Sequence, residues 1–404
     1  MKTYLRKSVS PSLVLLMLVA APGLRACPFC RAPTRTLSEQ TEEADVVLAA
    51  RWLSTQGRND AQSRGSTTFE VMDAIRGDSH FKLRQRITLD GYRQGREGDL
   101  FLLFGSKERQ IAWTDPLPTT RDAINYVHHI PRGEVPAETR LLFFFKYLDS
   151  PDKTVAEDAH SEFAIADYSD VLKIRTHLSR ERLRAWLTDP KTEPERIGFY
   201  GMLLGLCGTP DDAKFLEKII IRNEGDELRV GIDGLMGGYL LLTGDAGVDF
   251  LERTKLKPPD CPFTETFAAI QALRFAWTYA EDVVSRGRLK TAMRSALHRE
   301  DMADLIIADL SRWKDWESLP LIVSLYDNDR FKQTAVKRTI IRFVNACSCD
   351  VPKSPAAPVP PHVTVARQTL EELRKRDPRL VADALRFYLK PSRQDQAKAA
   401  DPAK

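Results

Sequence analysis

The sequence predicts a multidomain chain of β and α parts, a small β-barrel head followed by an α-solenoid of helix pairs. Three observations predict it. Residues 41 to about 120 form short apolar runs punctuated by Gly, Asp and Pro, which is the pattern of closely spaced strands. From about Arg180 the apolar period becomes helical. Within that helical part a block of residues recurs at an offset of 33, the signature of stacked helical repeats.

The first 26 residues precede this architecture. Met1 to Pro11 carries Lys2, Arg6 and Lys7 and no acid, Leu13 to Ala21 is a continuous apolar run, and Pro22-Gly23 breaks it. That is the layout of a secretory signal peptide, so residues 1–26 are expected to be removed and Cys27 to begin the mature chain. The apolar run is far shorter than the roughly 20 residues that span a bilayer as a helix, and no membrane span is expected. Leu24-Arg25-Ala26-Cys27 also reads as a lipoprotein cleavage box, which would place a lipid anchor on Cys27. The expected location is exported: periplasm, cell envelope or secreted. The whole chain has a formal charge of +4. The signal holds four basic residues, Lys2, Arg6, Lys7 and Arg25, and no acid, so the remainder is neutral. A neutral chain has no overall field for nucleic acid or anionic lipid, and neither is expected as a partner.

The candidate strands run in order. Ala44–Leu53 is apolar and rich in β-branched residues, Thr67–Ile75 alternates and stops at Arg76-Gly77-Asp78, and Arg86–Leu89 ends at Asp90-Gly91. Leu100–Phe104 is closed by Gly105, and Gln110–Trp113 precedes Pro116-Leu117-Pro118. Five such strands suit a small Greek-key barrel. Leu141–Leu148 is apolar enough for a buried strand or a short helix, and Ala156–Ala166 reads as a helix. The head is expected to occupy residues 27–178, as a β-rich domain with a mixed extension.

Cys27, Cys30, the Ala44-Asp45-Val46-Val47-Leu48-Ala49 strand, Phe69-Glu70-Val71 leading to Ile75-Arg76-Gly77, and Gly98-Asp99-Leu100-Phe101-Leu102-Leu103 follow one another in an order that resembles the netrin-like domain. That domain is shared with the tissue inhibitors of metalloproteinases. The resemblance covers about residues 27–120. It implies an OB-type barrel and, for the inhibitors, zinc chelation by an N-terminal cysteine, here Cys27. The chain departs from the pattern in having Pro28 and Phe29 between the first two cysteines and no cysteine from 31 to 206. Taken whole, the chain is similar to exported bacterial proteins.

In the helical part, expected at 179–390, Arg196-Ile197-Gly198-Phe199-Tyr200-Gly201-Met202-Leu203 matches Arg229-Val230-Gly231-Ile232-Asp233-Gly234-Leu235-Met236. Each copy runs to a glycine turn, at Gly208 and Gly244, and a second helix follows with Phe215-Leu216-Glu217 or Phe250-Leu251-Glu252. These units most resemble HEAT-like repeats. Weaker copies pair 263–279 with 283–297, 302–313 with 319–326, and 334–346 with 365–376, and 379–389 would cap the stack. Residues 352–361 are a Pro-rich insertion, and the polar 391–404 segment is expected to be a disordered tail.

Cys27, Cys30, Cys207, Cys261, Cys347 and Cys349 are the disulfide candidates, permitted by export and open to 15 full connectivities. Cys27-Pro28-Phe29-Cys30 is the sharpest motif. It can act as a redox pair, or it can pin the chain start. Haem attachment would need a histidine where Arg31 stands, and a four-thiolate zinc site would need a second spaced pair, whereas Cys347-Ser348-Cys349 has one intervening residue. None of the seven histidines forms a His-Glu-x-x-His pattern. Gly231, Gly234, Gly237 and Gly238 fall in an apolar helical stretch, and the spacing recurs at Gly198 and Gly201, which indicates close helix packing rather than a phosphate loop. Arg196 and Arg229 read as an anion ladder or as ion pairs and carbonyl caps within the repeats, and Trp313 and Trp316 as a ligand platform or repeat core. No catalytic, metal or cofactor site is expected. The expected function is a non-enzymatic binding or scaffold protein that takes a protein partner on the solenoid's concave face or the barrel face. A thiol–disulfide oxidoreductase using Cys27 and Cys30, and a metalloprotease inhibitor acting through Cys27, are the alternatives.

Overall fold

The computed structural model describes residues 29–30, 35–57, 65–77, 81–107, 110–222, 229–354 and 357–386. The expected signal (1–26), Cys27, His80 and the expected tail (391–404) lie outside the described residues. The chain divides into two compact units. The described residues from 35 to 171 form the first, and those from 172 onward, together with Phe29 and Cys30, form the second.

The first unit opens with a short helix, α1 (Leu37–Glu43), fixed by a capping box in which Thr36 and Glu39 satisfy each other's backbone N–H groups. Six strands follow: β1 (Val46–Gln56), β2 (Ser66–Arg76), β3 (Arg86–Asp90), β4 (Leu100–Lys107), β5 (Ile111–Trp113) and β6 (Leu117–Thr119). They form one antiparallel sheet in the order β3-β2-β1-β4-β5, with β6 also on β4, and the sheet curls into a nearly closed, OB-like β-barrel. Three register shifts between β1 and β2 supply the bending that a small barrel needs. The interior is filled by Val46, Leu48, Ala50, Phe69, Val71, Leu89, Phe101 and Leu103. Phe81, ahead of β3, meets Trp113 of β5 edge-on at 5.9 Å. The fifth expected strand, Gln110–Trp113, is β5; β6 is a further short strand in the stretch read as punctuation, and the two pair with opposite ends of β4.

Alternation marks the first part of β2, whose Thr67, Phe69 and Val71 are buried, and after the register shift Ala74 packs on the interior. It fails for β1, because Val47 and Ala49 on the outer face are buried as completely as Leu48. The helices α2 (Arg121–His129), α3 (Ala137–Phe145), α4 (Lys153–Ile165) and α5 (Tyr168–Lys173) complete the unit. The apolar 141–148 run is therefore a helix with its following turn, not a strand.

These helices carry a buried carboxylate. Asp158 of α4 accepts a hydrogen bond from the Leu37 backbone N–H at 2.6 Å and from the Tyr126 hydroxyl at 2.7 Å. Arg140 of α3 reaches Glu162 one turn on, at 2.9 Å. Burial raises the Asp158 carboxyl to about 6 and outweighs its two hydrogen bonds. Burial also raises Glu162, against the pull of Thr36 and Arg140.

The second unit is a series of helix pairs. It begins with α6 (Arg180–Thr188), and then α7 (Pro194–Cys207) pairs with α8 (Pro210–Ile221). The further pairs are α9 (Ile232–Thr243) with α10 (Asp245–Leu251), α11 (Phe263–Tyr279) with α12 (Arg286–Ser295), α13 (Ala303–Arg312) with α14 (Leu319–Ser324), and α15 (Thr334–Ser348) with α16 (Pro361–Arg376). A last helix, α17 (Pro378–Leu385), packs on α15 and α16. Thr209 and Asp212 form a capping box at α8, with Pro210 at its first position. Gly231 starts α9 at φ 81° and Gly244 ends it at φ 58°, conformations that favour glycine.

Backbone approaches backbone between α7 and α9. A Cβ on Gly234 would overlap the Gly198 carbonyl, and one on Gly238 would overlap that of Gly201. A Cβ on Gly205 would lie 2.5 Å from the Gly238 Cα. The glycines at 198, 201 and 205 thus meet those at 231, 234 and 238, a third matched pair beyond the two evident in the repeat.

Two predictions follow from these contacts. Gly234→Ala has no flexible neighbour to displace, so it costs about 3 kcal/mol or more, which urea denaturation measures. For Asp158 the folded state binds its proton more tightly than the unfolded chain between about pH 4 and pH 6. Stability therefore falls as pH rises through that window, by at most about 3 kcal/mol. Asp158→Asn flattens that slope in denaturation curves from pH 4 to 7, leaving the share that Glu162 contributes with the same sign.

Candidate functional site

Of the Cys-x-x-Cys segment, Phe29 and Cys30 are described, and Phe29 is seated on the helical unit. The ring of Phe29 lies 4.8 Å from that of Phe275 on α11. Its tip sits over Gly237 of α9, where an added Cβ would come within 2.7 Å of the Phe29 Cζ. Gly237 is therefore a notch: its neighbour Gly238 faces α7, whereas Gly237 faces Phe29 and Phe275. Cys30 is held in a disulfide.

The other disulfide candidates do not pair. Cys207, Cys261, Cys347 and Cys349 are free thiols, so these four disulfide candidates are not bridged. Burial pushes the Cys207 thiol up to about 11 and that of Cys347 up to about 12. Both are therefore poor nucleophiles near neutral pH. Cys349 is exposed.

The arginines serve the stack. Arg229 donates to the carbonyls of Ile219, Ile220 and Arg222 at the end of α8 and pairs with Glu265 of α11 at 3.3 Å. It closes one helix and ties down the next repeat. Arg196 pairs with Glu193 at 2.9 Å. Arg184 pairs with Asp212 at 2.7 Å, Arg274 with Asp309 at 2.6 Å, Arg288 with Glu252, and Arg294 with Asp315. The carboxylates Asp212, Glu252, Glu265, Asp309 and Asp315 are all buried, and each has its arginine. Hydrogen bonds to Asp315, the largest influence, raise Arg294 further. The anion-ladder reading is replaced by a ladder of internal ion pairs.

The two indoles separate. Trp313 is buried and stacks on Trp277 at 4.4 Å, so it belongs to the core. Trp316 is half-buried and donates its Nε1–H to Asp350 at 2.7 Å. Lys314 reaches the same carboxylate at 2.8 Å, and His362 Nε2 lies 3.4 Å from it. The His362 ring stacks near Trp316, and Lys314 holds φ 51°, unusual for a side-chain-bearing residue. Burial raises the Asp350 carboxyl, but its bonds to Lys314 and Trp316 win and hold it below the ordinary carboxylate range. Asp350 and His362 flank the Pro-rich insertion, so this cluster ties the base of that loop. Sequence gave no sign of it beyond Trp316, because its members lie on three separate segments.

Two further histidines have partners within the fold. His128 bonds Asp73 at 2.7 Å across α2 and β2, and His298 bonds the Ser295 carbonyl. Among the described residues no group of three or more His, Cys, Asp and Glu side chains is placed to hold a metal, and no helix is long and apolar enough to cross a membrane.

An open groove of about 450 Å³ lies between α6 and α8, lined by Arg184, Thr188, Asp211, Lys214, Phe215 and Lys218. The Arg184 guanidinium sits 5.0 Å over the Phe215 ring. A second surface feature is apolar. Val230, just before α9, and Phe263, which opens α11, are 43% and 46% exposed. No family model, curated protein or solved structure matches the chain.

Thiol labelling checks the cysteine assignments. With iodoacetamide at pH 8 and peptide mapping, Cys349 is alkylated first. Cys207 and Cys347 react at least about tenfold more slowly, because their thiolate fractions are small.

Proposed function

We propose that this is an exported, non-enzymatic binding or scaffold protein whose protein partner sits on the solenoid's concave face or the barrel face. The observation that carries the reading is the exposure of two large apolar side chains beside the starts of α9 and α11, Val230 and Phe263. Stacked helix pairs build extended surfaces, and exposed apolar residues on them suit a protein surface. The internal ion-pair ladder supports the same reading, since it spends the buried charges on stacking. A protein partner fits the neutral mature chain better than nucleic acid does.

The finer identity of the head, a netrin-like domain, is part of this proposal. The strand order β3-β2-β1-β4-β5 around a central β1 supports it. A second reading, thiol–disulfide exchange through Cys27 and Cys30, draws on the disulfide at Cys30. It requires that Cys27→Ser abolish insulin reduction, and unchanged turnover would rule it out. The third reading, metalloprotease inhibition through Cys27, keeps no structural support beyond the resemblance, because the Phe29 seat belongs to the helical unit.

The leading reading is tested by cross-linking capture from envelope extract with the mature protein and with Val230→Asp plus Phe263→Asp. Both positions are exposed, so the double variant folds. The captured partner is expected to fall at least about tenfold in the variant, an effect the size of losing a hot-spot pair. Equal capture by both proteins would remove this surface from the account.

A further inference from the structure

The β-sheet of the head keeps an unpaired edge. β3 is an end strand: β2 pairs with it on one side, and neither β5 nor β6 pairs with it on the other. Its entry is a bulge. The Arg84 N–H donates to the Val71 carbonyl at 2.8 Å, and the Val71 N–H donates to the Gln85 carbonyl at 2.9 Å, so two residues here oppose one of β2. That register turns the backbone groups of Ile87 and Leu89 toward β2, and the Gly91 N–H continues it by donating to the Gly65 carbonyl at 2.9 Å. The N–H and C=O groups of Arg86 and Thr88 therefore point away from β2, and among the described residues nothing bonds them.

The charge along this edge is one-sided. Arg84 holds φ 64°, at the bulge position that favours glycine. Lys82, Arg84 and Arg86 are all exposed. Glu70, beside Arg86 in the register, gives its carboxylate to Arg51 at 2.5 Å. Among the described residues Lys82, Arg84 and Arg86 have no carboxylate partner. The one acid on β3 is Asp90, at its far end.

We propose that the free edge of β3 takes an extended acidic segment of a partner protein as an added strand. Backbone pairing at Arg86 and Thr88 holds the segment. Carboxylates on its outer side meet Lys82, Arg84 and Arg86, and the apolar residues alternating with them cover the half-buried Ile87. A second copy of this edge would bring three cations and one acid to a like-charged surface, whereas an acidic segment brings the opposite charge. The inference rests on the protein-binding reading and names the chemistry of the segment bound. Its probe reads β3 alone, so its failure leaves the capture that depends on Val230 and Phe263 standing.

The test uses the whole chain and a short synthetic peptide of alternating Glu and Val, with amide hydrogen exchange resolved residue by residue by NMR. The peptide slows exchange at Arg86 and Thr88 by about tenfold or more. It leaves Ile87 and Leu89, already bonded to β2, as they were. Arg84→Gly suits the bulge while removing a charge. Combined with Arg86→Gln it weakens peptide binding about tenfold in fluorescence anisotropy. A peptide of alternating Glu and Pro carries the same charge but lacks half the donors, and it binds far more weakly. The proposal is overturned if millimolar Glu-Val peptide leaves Arg86 and Thr88 unprotected, if it protects all four residues alike, or if the double variant binds as the wild type does. Equal binding of the Glu-Pro peptide or of oligothymidylate would also overturn it, assigning the edge to charge alone or to nucleic acid. So would protection of Arg86 and Thr88 without peptide that is lost on dilution, which would give the edge to a second copy.

Discussion

The helical unit depends on the contact of bare backbone between α7 and α9. Gly198, Gly201 and Gly205 on one helix meet Gly231, Gly234 and Gly238 on the other, with no room for a Cβ at the crossing points. Such an approach brings more of each helix's remaining side chains into contact and sharply restricts the crossing. It has a cost, since glycine weakens a helix by about 1 kcal/mol relative to alanine at each position. The offset comes from burial: Phe199, Met202, Leu203, Leu204, Leu235, Met236 and Leu240 on the same two helices are almost fully enclosed.

The rest of the stack follows from that crossing. The approach fixes α9, and α9 presents Gly237 on another side, where Phe275 and Phe29 pack. Farther along, glycine gives way to aromatic stacking, as at Trp277 and Trp313, and to buried arginine–carboxylate pairs. A buried carboxylate that lost its arginine would be a large penalty, whereas the intact pair contributes little net stability. The pairs that cross between repeats, such as Arg229–Glu265 and Arg274–Asp309, therefore favour the stacking that brings their partners together. The head has a different logic. Its β1 is enclosed on both faces, and the helices of the unit are tied to α1 through Asp158.

Much of this order was legible in the sequence, and the failures have physical reasons. The glycine spacing and the recurring Arg-x-Gly pattern gave the helix pairs, because identical packing problems select identical residues. Strand β2 was legible because one of its faces is wet, while β1 read as a bare apolar run because neither face is. Helices α1 and α2 were missed, being too short for a periodic pattern to establish itself. The Cys-x-x-Cys motif was visible, but not the seat of Phe29, since Gly237 and Phe275 lie far along the chain and notches leave no local signature. The cluster of Lys314, Trp316, Asp350 and His362 was hidden for the same reason. Cys207, Cys261, Cys347 and Cys349 were named as candidates on count alone, and a bridge forms only where geometry brings two thiols together.

The most direct test of the central claim is a double-mutant cycle at the crossing, with Gly201→Ala and Gly238→Ala measured singly and together by urea denaturation. If backbone contact holds α7 to α9, the first alanine already forces the helices apart. The second then adds little, and the double variant loses markedly less stability than the sum of the singles. Full additivity, or single losses no larger than those of an exposed helical position, would contradict the account.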